Sequence, residues 1–194
     1  MSIVKKLQFI NEIDKLKSVL RINNLHNAER RENTAEHSWH IALMAAVFLE
    51  EAENTIDPLK AIKMALIHDI VEIDAGDTYA FDEIGYEDKF ERELKASRRL
   101  FSMLPSDLSD EYQALWLEYE EQSTAEACFI LALDRLAPLL SHLGNKGKVW
   151  KEKSMTKELL MTRASAIRVH TPKIWPEIEA RIEEAVTSGI LKEK

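Results

Sequence analysis

The chain has a single cysteine, Cys128, so no disulfide can close within it. That fits a reducing compartment, and a cytoplasmic setting is expected. Glycine and proline are scarce too, at five each in 194 residues, which argues against a strand-and-turn fold and for long helices. No uninterrupted apolar run reaches the roughly 18 residues that a membrane-spanning helix needs. The opening residues, Met1-Ser2-Ile3-Val4-Lys5-Lys6, lack the apolar centre of a secretion signal. Basic residues are in deficit: 26 Lys and Arg face 34 Asp and Glu, a net charge of −8. This excludes a general surface for nucleic-acid polymers. It leaves room for a small anionic substrate, because a metal can reverse the field inside one pocket.

What the sequence does have is helical pattern. With 45% hydrophobic residues it can bury a real core, and an all-α protein is expected, folding as one domain over residues 1–194. Residues 3–20 place Ile3, Leu7, Ile10, Ile13, Leu16 and Leu20 at roughly helical spacing. The polar stretch from Arg21 to Asn33 reads as a loop. A second helix is expected from Thr34 to about Ala52. A third opens with Asp57 as N-cap and Pro58 at its first position, runs to about Ile73 and is ended by Gly76. After an irregular loop over 77–86, helices are expected over about 87–103, 106–120, 125–142, 154–169 and 175–188. Ser123-Thr124-Ala125-Glu126 matches a capping box at the start of the 125–142 helix.

Polar groups interrupt these apolar runs in a suggestive way, since buried charge is costly unless it is paired or metal-bound. His68 and Asp69 stand together near the end of the third helix. Glu72 follows at positions i+4 and i+3 from them, on the same face. His37 lies in Glu36-His37-Ser38-Trp39-His40, with His40 as a rival three residues on and Glu36 as a group that could orient the ring. Asp134 sits in a helix that is apolar almost all round. Each has a plainer alternative: a solvated helix end for His68 and Asp69, a hydrogen-bonded core imidazole for either His, an ion pair with Arg135 for Asp134. Together, His37, His68, Asp69 and Asp134 would make a mixed nitrogen and oxygen site for a divalent metal, with Mn, Co, Fe, Ni, Zn or Mg as candidates. Such a cation would lower the pKa of a bound water and polarise a phosphoryl oxygen. Arg31 is expected to hold a phosphate, and Asp77 and Thr78, just beyond Gly76, to touch a sugar.

These motifs resemble those of the HD-domain metal-dependent phosphohydrolase superfamily, whose metal signature is similar to His37…His68-Asp69…Asp134. More narrowly, Arg31-Glu32-Asn33-Thr34-Ala35-Glu36-His37-Ser38 resembles the first motif of the 5'-deoxynucleotidase branch. His68-Asp69-Ile70-Val71-Glu72-Ile73-Asp74-Ala75-Gly76-Asp77 resembles its second, and the segment from Ser123 to Asp134 the one that carries its last ligand. The likeness covers about residues 5–142, leaving 143–194 as a C-terminal helical extension. It implies a helical HD fold, four metal ligands at the positions just named, and catalytic, substrate or further metal roles for Glu72 and Asp77. It also implies a homodimer. Arg21 matches an Arg of that branch, which is often followed by a Trp; here Ile22-Asn23-Asn24-Leu25 follows, with no Trp.

The expected activity is therefore metal-dependent hydrolysis of (deoxy)nucleoside 5'-monophosphates to nucleoside and phosphate, with Glu72 handling a proton and Arg21 contacting substrate. Two other chemistries stay open within the same superfamily: removal of pyrophosphate from an alarmone, or of triphosphate from a dNTP. A nucleotide-binding protein without turnover and a purely structural helical domain are the readings outside it.

Overall fold

The computed structural model describes residues 2–27 and 29–194. Helix α1 (Ser2–Ile13) gives way to a 3-10 turn at Asp14–Ser18, then to strand β1 (Leu20–Asn24), which pairs antiparallel with β2 (Arg31–Asn33). This hairpin replaces the loop expected over 21–33. Strand alternation explains its local chemistry: Glu32 on β2 is buried while Arg31 beside it is exposed.

Helix α2 (Thr34–Val47) starts at a reciprocal cap. The Asn33 side chain accepts from the Glu36 N–H at 3.0 Å, and Glu36 accepts from the Asn33 N–H at 2.8 Å. A 3-10 turn follows at Leu49–Glu51, so α2 is shorter than expected. Helix α3 (Pro58–Ile67) begins as predicted, with Asp57 accepting from the N–H groups of Leu59 and Lys60. It stops earlier than predicted. From His68 to Val71 the chain tightens into i→i+3 bonds, Ile70 N–H to Ile67 O at 3.1 Å and Glu72 N–H to Asp69 O at 3.0 Å. The short helix α4 (Glu72–Ala75) then ends at Gly76, whose φ of +75° suits a residue without a side chain.

The remaining helices are α5 (Glu83–Tyr86), α6 (Lys89–Phe101), α7 (Ser106–Glu121), α8 (Ala125–Gly144), α9 (Lys148–Glu152), α10 (Lys157–His170) and α11 (Trp175–Thr187). Sequence periodicity did not reveal α5 and α9, which are only four and five residues long.

Helix α8 is the axis of the molecule, in contact with α2, α3, α7 and α10. By length and composition it would suit a membrane span, and 61% of that stretch is buried within the protein. Its N-cap is Thr124, which accepts from the Ala127 N–H. The predicted capping box does not form, because the cap is Thr124 rather than Ser123, which places Ala127 third in the helix; Glu126 instead accepts from the Asp57 N–H at 2.9 Å. Pro138 lies inside the helix. It has no N–H to offer the carbonyl four residues back, which belongs to Asp134.

Candidate metal centre and substrate cavity

Three segments meet beside α8. Helix α2 brings His37, the tightened turn between α3 and α4 brings His68 and Asp69, and α8 brings Asp134. Donor atoms of His37, His68 and Asp69 all lie within 4.8 Å of one another. His37 Nε2 is 3.0 Å from Asp134 Oδ1 and 3.8 Å from Asp69 Oδ2. His68 Nε2 is 3.2 Å from Asp69 Oδ2 and 4.0 Å from Asp134 Oδ1. His40, the rival imidazole, is turned away and stacks on Trp39.

Two observations test this cluster against a divalent cation. His68 Nδ1 donates to the Ala65 carbonyl at 2.8 Å, which leaves Nε2 as the bare nitrogen, buried without a hydrogen-bond partner. The second is electrostatic. Asp69 and Asp134 each approach both imidazoles, at 3.8 and 3.2 Å and at 3.0 and 4.0 Å, so acidic groups crowd the two rings. Burial disfavours charge on His68, yet Asp69 and Asp134 outweigh it and raise its proton affinity. That field favours a cation, whether proton or metal. The cluster is a His-His-Asp centre suited to a divalent metal, with Asp134 Oδ1 beside it, 3.0 Å from His37 Nε2.

Surrounding groups hold these side chains in place. Arg21 on β1 donates to Asp69 at 2.9 Å and lies 3.4 Å from Asp77 and 3.6 Å from Glu32. Burial works against ionisation of Asp69, but His68 and Arg21 hold it far below the usual carboxylate range. Asp134 is likewise held low, against its burial, by Arg135, His37 and His68. Its Oδ2 accepts from Arg135 at 2.8 Å and from the Tyr119 hydroxyl at 3.2 Å. The pairing with Arg135, an alternative to a ligand role in sequence, coexists with the contact to His37. Glu32, not Glu36, is the carboxylate beside His37 Nδ1, at 3.4 Å. Glu36 is occupied by the α2 cap and by Arg30.

Glu72 is almost wholly buried and accepts from the Thr34 hydroxyl at 2.8 Å. Burial pushes its carboxyl group well above the usual range, and nearby Asp69 adds to this against the pull of Arg21. Asp77 is raised for the same first reason, with Arg21 opposing.

The centre opens into a cavity of about 270 Å³. Arg21, Asp69, Glu72, Asp77, Thr78 and Asp134 line it, as sequence reasoning expected of a common site. Arg31 does not: it is on the exposed side of β2 and absent from the lining, because alternation turns its neighbour Glu32 inward instead. The cations that do line the cavity, besides Arg21, are Lys89, Arg135 and Arg163. Arg163 donates to the Ala80 carbonyl and lies over the Phe81 ring. Arg163, Trp150, Met155 and Leu160 come from beyond residue 142, so the cavity draws on both the expected core and the C-terminal segment. Lys89 carries one sequence signal, an i, i+4 pair with Glu93, but nothing in that pair points to a cavity.

A helical bundle with this His-Asp centre defines a class. The HD domain model matches residues 13–175, and the chain belongs to the HD domain family. A crystal structure of a predicted metal-dependent phosphohydrolase from Magnetospirillum magnetotacticum MS-1 superposes with a TM-score of 0.93, at 45% identity over 98% of this chain and 95% of that one. The human 5'-deoxynucleotidase HDDC2 is 36% identical over 135 residues, 69% of this chain. That match spans 65% of the human protein's length. The Xenopus laevis 5'-deoxynucleotidase HDDC2 is 34% identical over 138 residues, 71% of this chain and 67% of its own.

Proposed function

We propose that this chain is a metal-dependent phosphomonoesterase that hydrolyses (deoxy)nucleoside 5'-monophosphates to nucleoside and phosphate. The observation that carries the reading is the convergence of His37, His68, Asp69 and Asp134 at the inner end of a cavity that Glu72, Asp77 and Arg21 also line. The relatives described as 5'-deoxynucleotidases and the solved phosphohydrolase support the substrate class and the reaction type.

A divalent cation held by these four side chains would supply Lewis acidity toward a phosphoryl oxygen and a lowered pKa for water. The mixed donor set admits Mn, Co, Fe, Ni, Zn or Mg. Within the protein's own chemistry, Glu72, whose burial disfavours its ionisation, is the group placed to hand a proton to the leaving oxygen. Arg21 and Arg135 carry positive charge toward the phosphate. Asp77 and Thr78 stand where sugar hydroxyls would lie.

We assign the chain to the cytoplasm and to a homodimer. Trp39, Leu43 and Val47, at four-residue intervals on α2, expose one apolar face that suits a second copy. Sedimentation velocity reads the mass directly, and a monomer at micromolar concentration overturns that assignment.

The activity is tested by incubating all ribo- and deoxynucleoside monophosphates with the protein and each candidate metal, and identifying the product. Release of orthophosphate is expected. Pyrophosphate from an alarmone, or triphosphate from a dNTP, would move the assignment within the superfamily. Nucleotide binding without any product would replace the enzyme by a binding protein.

A further inference from the structure

The part of the cavity remote from the metal centre contains a polar group without a partner. His142, in the last turn of α8, is 7% exposed and lines the cavity. Its Nδ1 is buried and makes no hydrogen bond. Its ring lies 5.2 Å, centroid to centroid, from that of Trp150. Pro138, Leu139, Met155 and Leu160 line the same cavity. Native proteins seldom leave a buried polar atom unpaired; Nδ1 is shielded from the cavity as well as from solvent, so the ring meets the open volume through its other atoms. A largely apolar wall with a few convergent polar groups is the usual form of a small-molecule seat.

The spacing along α8 fits the same picture. Asp134, Pro138 and His142 recur at four-residue intervals and all line the cavity. Asp134 and His142 are therefore about 12 Å apart along the axis. That is the scale of a nucleoside monophosphate whose phosphate lies at Asp134. The occupant of the far end is then the part of the substrate furthest from phosphorus, which is flat, aromatic and rimmed with hydrogen-bonding atoms.

Resting on the phosphomonoesterase reading, we propose that His142, Trp150, Met155 and Leu160 seat the nucleobase, and that the His142 imidazole hydrogen-bonds its edge. Burial lowers the His142 pKa to about 4, so the ring is neutral at physiological pH. A neutral imidazole has one donor and one acceptor nitrogen, and it meets base edges of either polarity. The seat therefore recognises that a base is present more than which base it is. It gives the C-terminal segment a role in substrate selection, since Trp150, Met155 and Leu160 all come from it.

The test pairs a substrate lacking the base with variants lacking the imidazole. Steady-state kinetics are measured on a set of deoxynucleoside monophosphates and on deoxyribose 5-phosphate, with the metal-loaded wild type, His142→Phe and His142→Gln. The wild type should favour the nucleotides in kcat/KM. In His142→Phe that preference should fall about tenfold, the scale of one hydrogen bond, chiefly through KM. His142→Gln, which keeps a donor and an acceptor, should recover part of it. Far-UV circular dichroism and Tm establish that each variant is folded. An unchanged preference in a folded His142→Phe overturns the proposal, as do equal loss on both substrate types and a folded His142→Gln no better than His142→Phe. If the wild type hydrolyses neither, the phosphomonoesterase reading fails instead. The seat is then judged by calorimetry with deoxyadenosine: binding that weakens in His142→Phe supports it, and no binding to wild type sinks it.

Discussion

Glu72 is a carboxyl group enclosed by protein, with Thr34 on one side and the acids Asp69 and Asp77 close by. Burial and these acids disfavour ionisation of such a group. Glu72→Gln keeps its shape and its acceptor for Thr34 while removing the exchangeable proton. If Glu72 handles a proton, kcat should fall by about 10²–10⁴-fold with KM little changed and metal content intact. Elemental analysis beside the kinetics checks this; a variant with normal kcat has no proton role to explain. The residues that converge here were legible in sequence when they broke a pattern. His37, His68, Asp69, Glu72 and Asp134 are polar letters in apolar helical runs, and tertiary packing brings them together as that contrast suggests. Glu32, Tyr119 and Arg163 break no pattern, so their place at the site depends on how β2, α7 and α10 pack. Glu36 misled for a related reason. It adjoins His37 in sequence, but as the third helical residue of α2 it turns back to the cap.

Helices with clear start signals were the most readable elements. Asp57-Pro58 fixes the start of α3, and Thr124, within the Ser123–Glu126 motif, caps α8. The boundary missed at His68 has a physical reason: apolar periodicity continues through Ile70 and Ile73, and nothing local reports a change to i→i+3 bonding. The β1–β2 hairpin was unreadable because its strands are short and polar. Helix α6 carries a consequence that only the packed element reveals. Its Glu93 is 2% exposed and pairs with Lys89. Burial raises its pKa from 4.5 to about 7, against the pull of Lys89. The folded state thus binds a proton more tightly than the unfolded chain. Its stabilising contribution is complete below pH 4.5 and is lost as pH rises through 7. Glu93→Gln should therefore gain stability relative to wild type between pH 5 and pH 8, by on the order of 1–3 kcal/mol. Chemical denaturation at the two pH values measures it, and an equal difference at both would show that Glu93 does not titrate in that window.

At the scale of the whole molecule, the centre joins segments that have little else in common. His37 and Asp134 are 97 positions apart, and no disulfide is available to join distant parts of the chain. A cation at the centre binds the folded state alone and stabilises it by mass action. Stripping the protein with a chelator should lower Tm by roughly 5–10 °C, taking about 2.7 kcal/mol at hundredfold saturation and 2–4 °C per kcal/mol for a chain of this size. Restoring Mn or Co should reverse the change, and Asp69→Ala should be insensitive to both. A scan with no shift in the wild type would count against a metal at this centre. The C-terminal segment belongs to this scale as well. Sequence periodicity gave most of its helices but not its purpose, because the residues that line the cavity from it, such as Trp150 and Met155, look like ordinary core residues until the chain is closed.

The separation of His37 from Asp134 also sets an order of events during synthesis. At ribosomal speeds of about 5–20 residues per second, Asp134 is made roughly 5–20 s after His37. A cation captured in that interval would meet only the donors of α2 and the α3–α4 turn. The fourth donor arrives with α8, the helix on which the core is assembled. A cation held by all four side chains would therefore be fixed late, at a nearly finished protein, and would reflect the free ion pool at that moment rather than the first ion encountered.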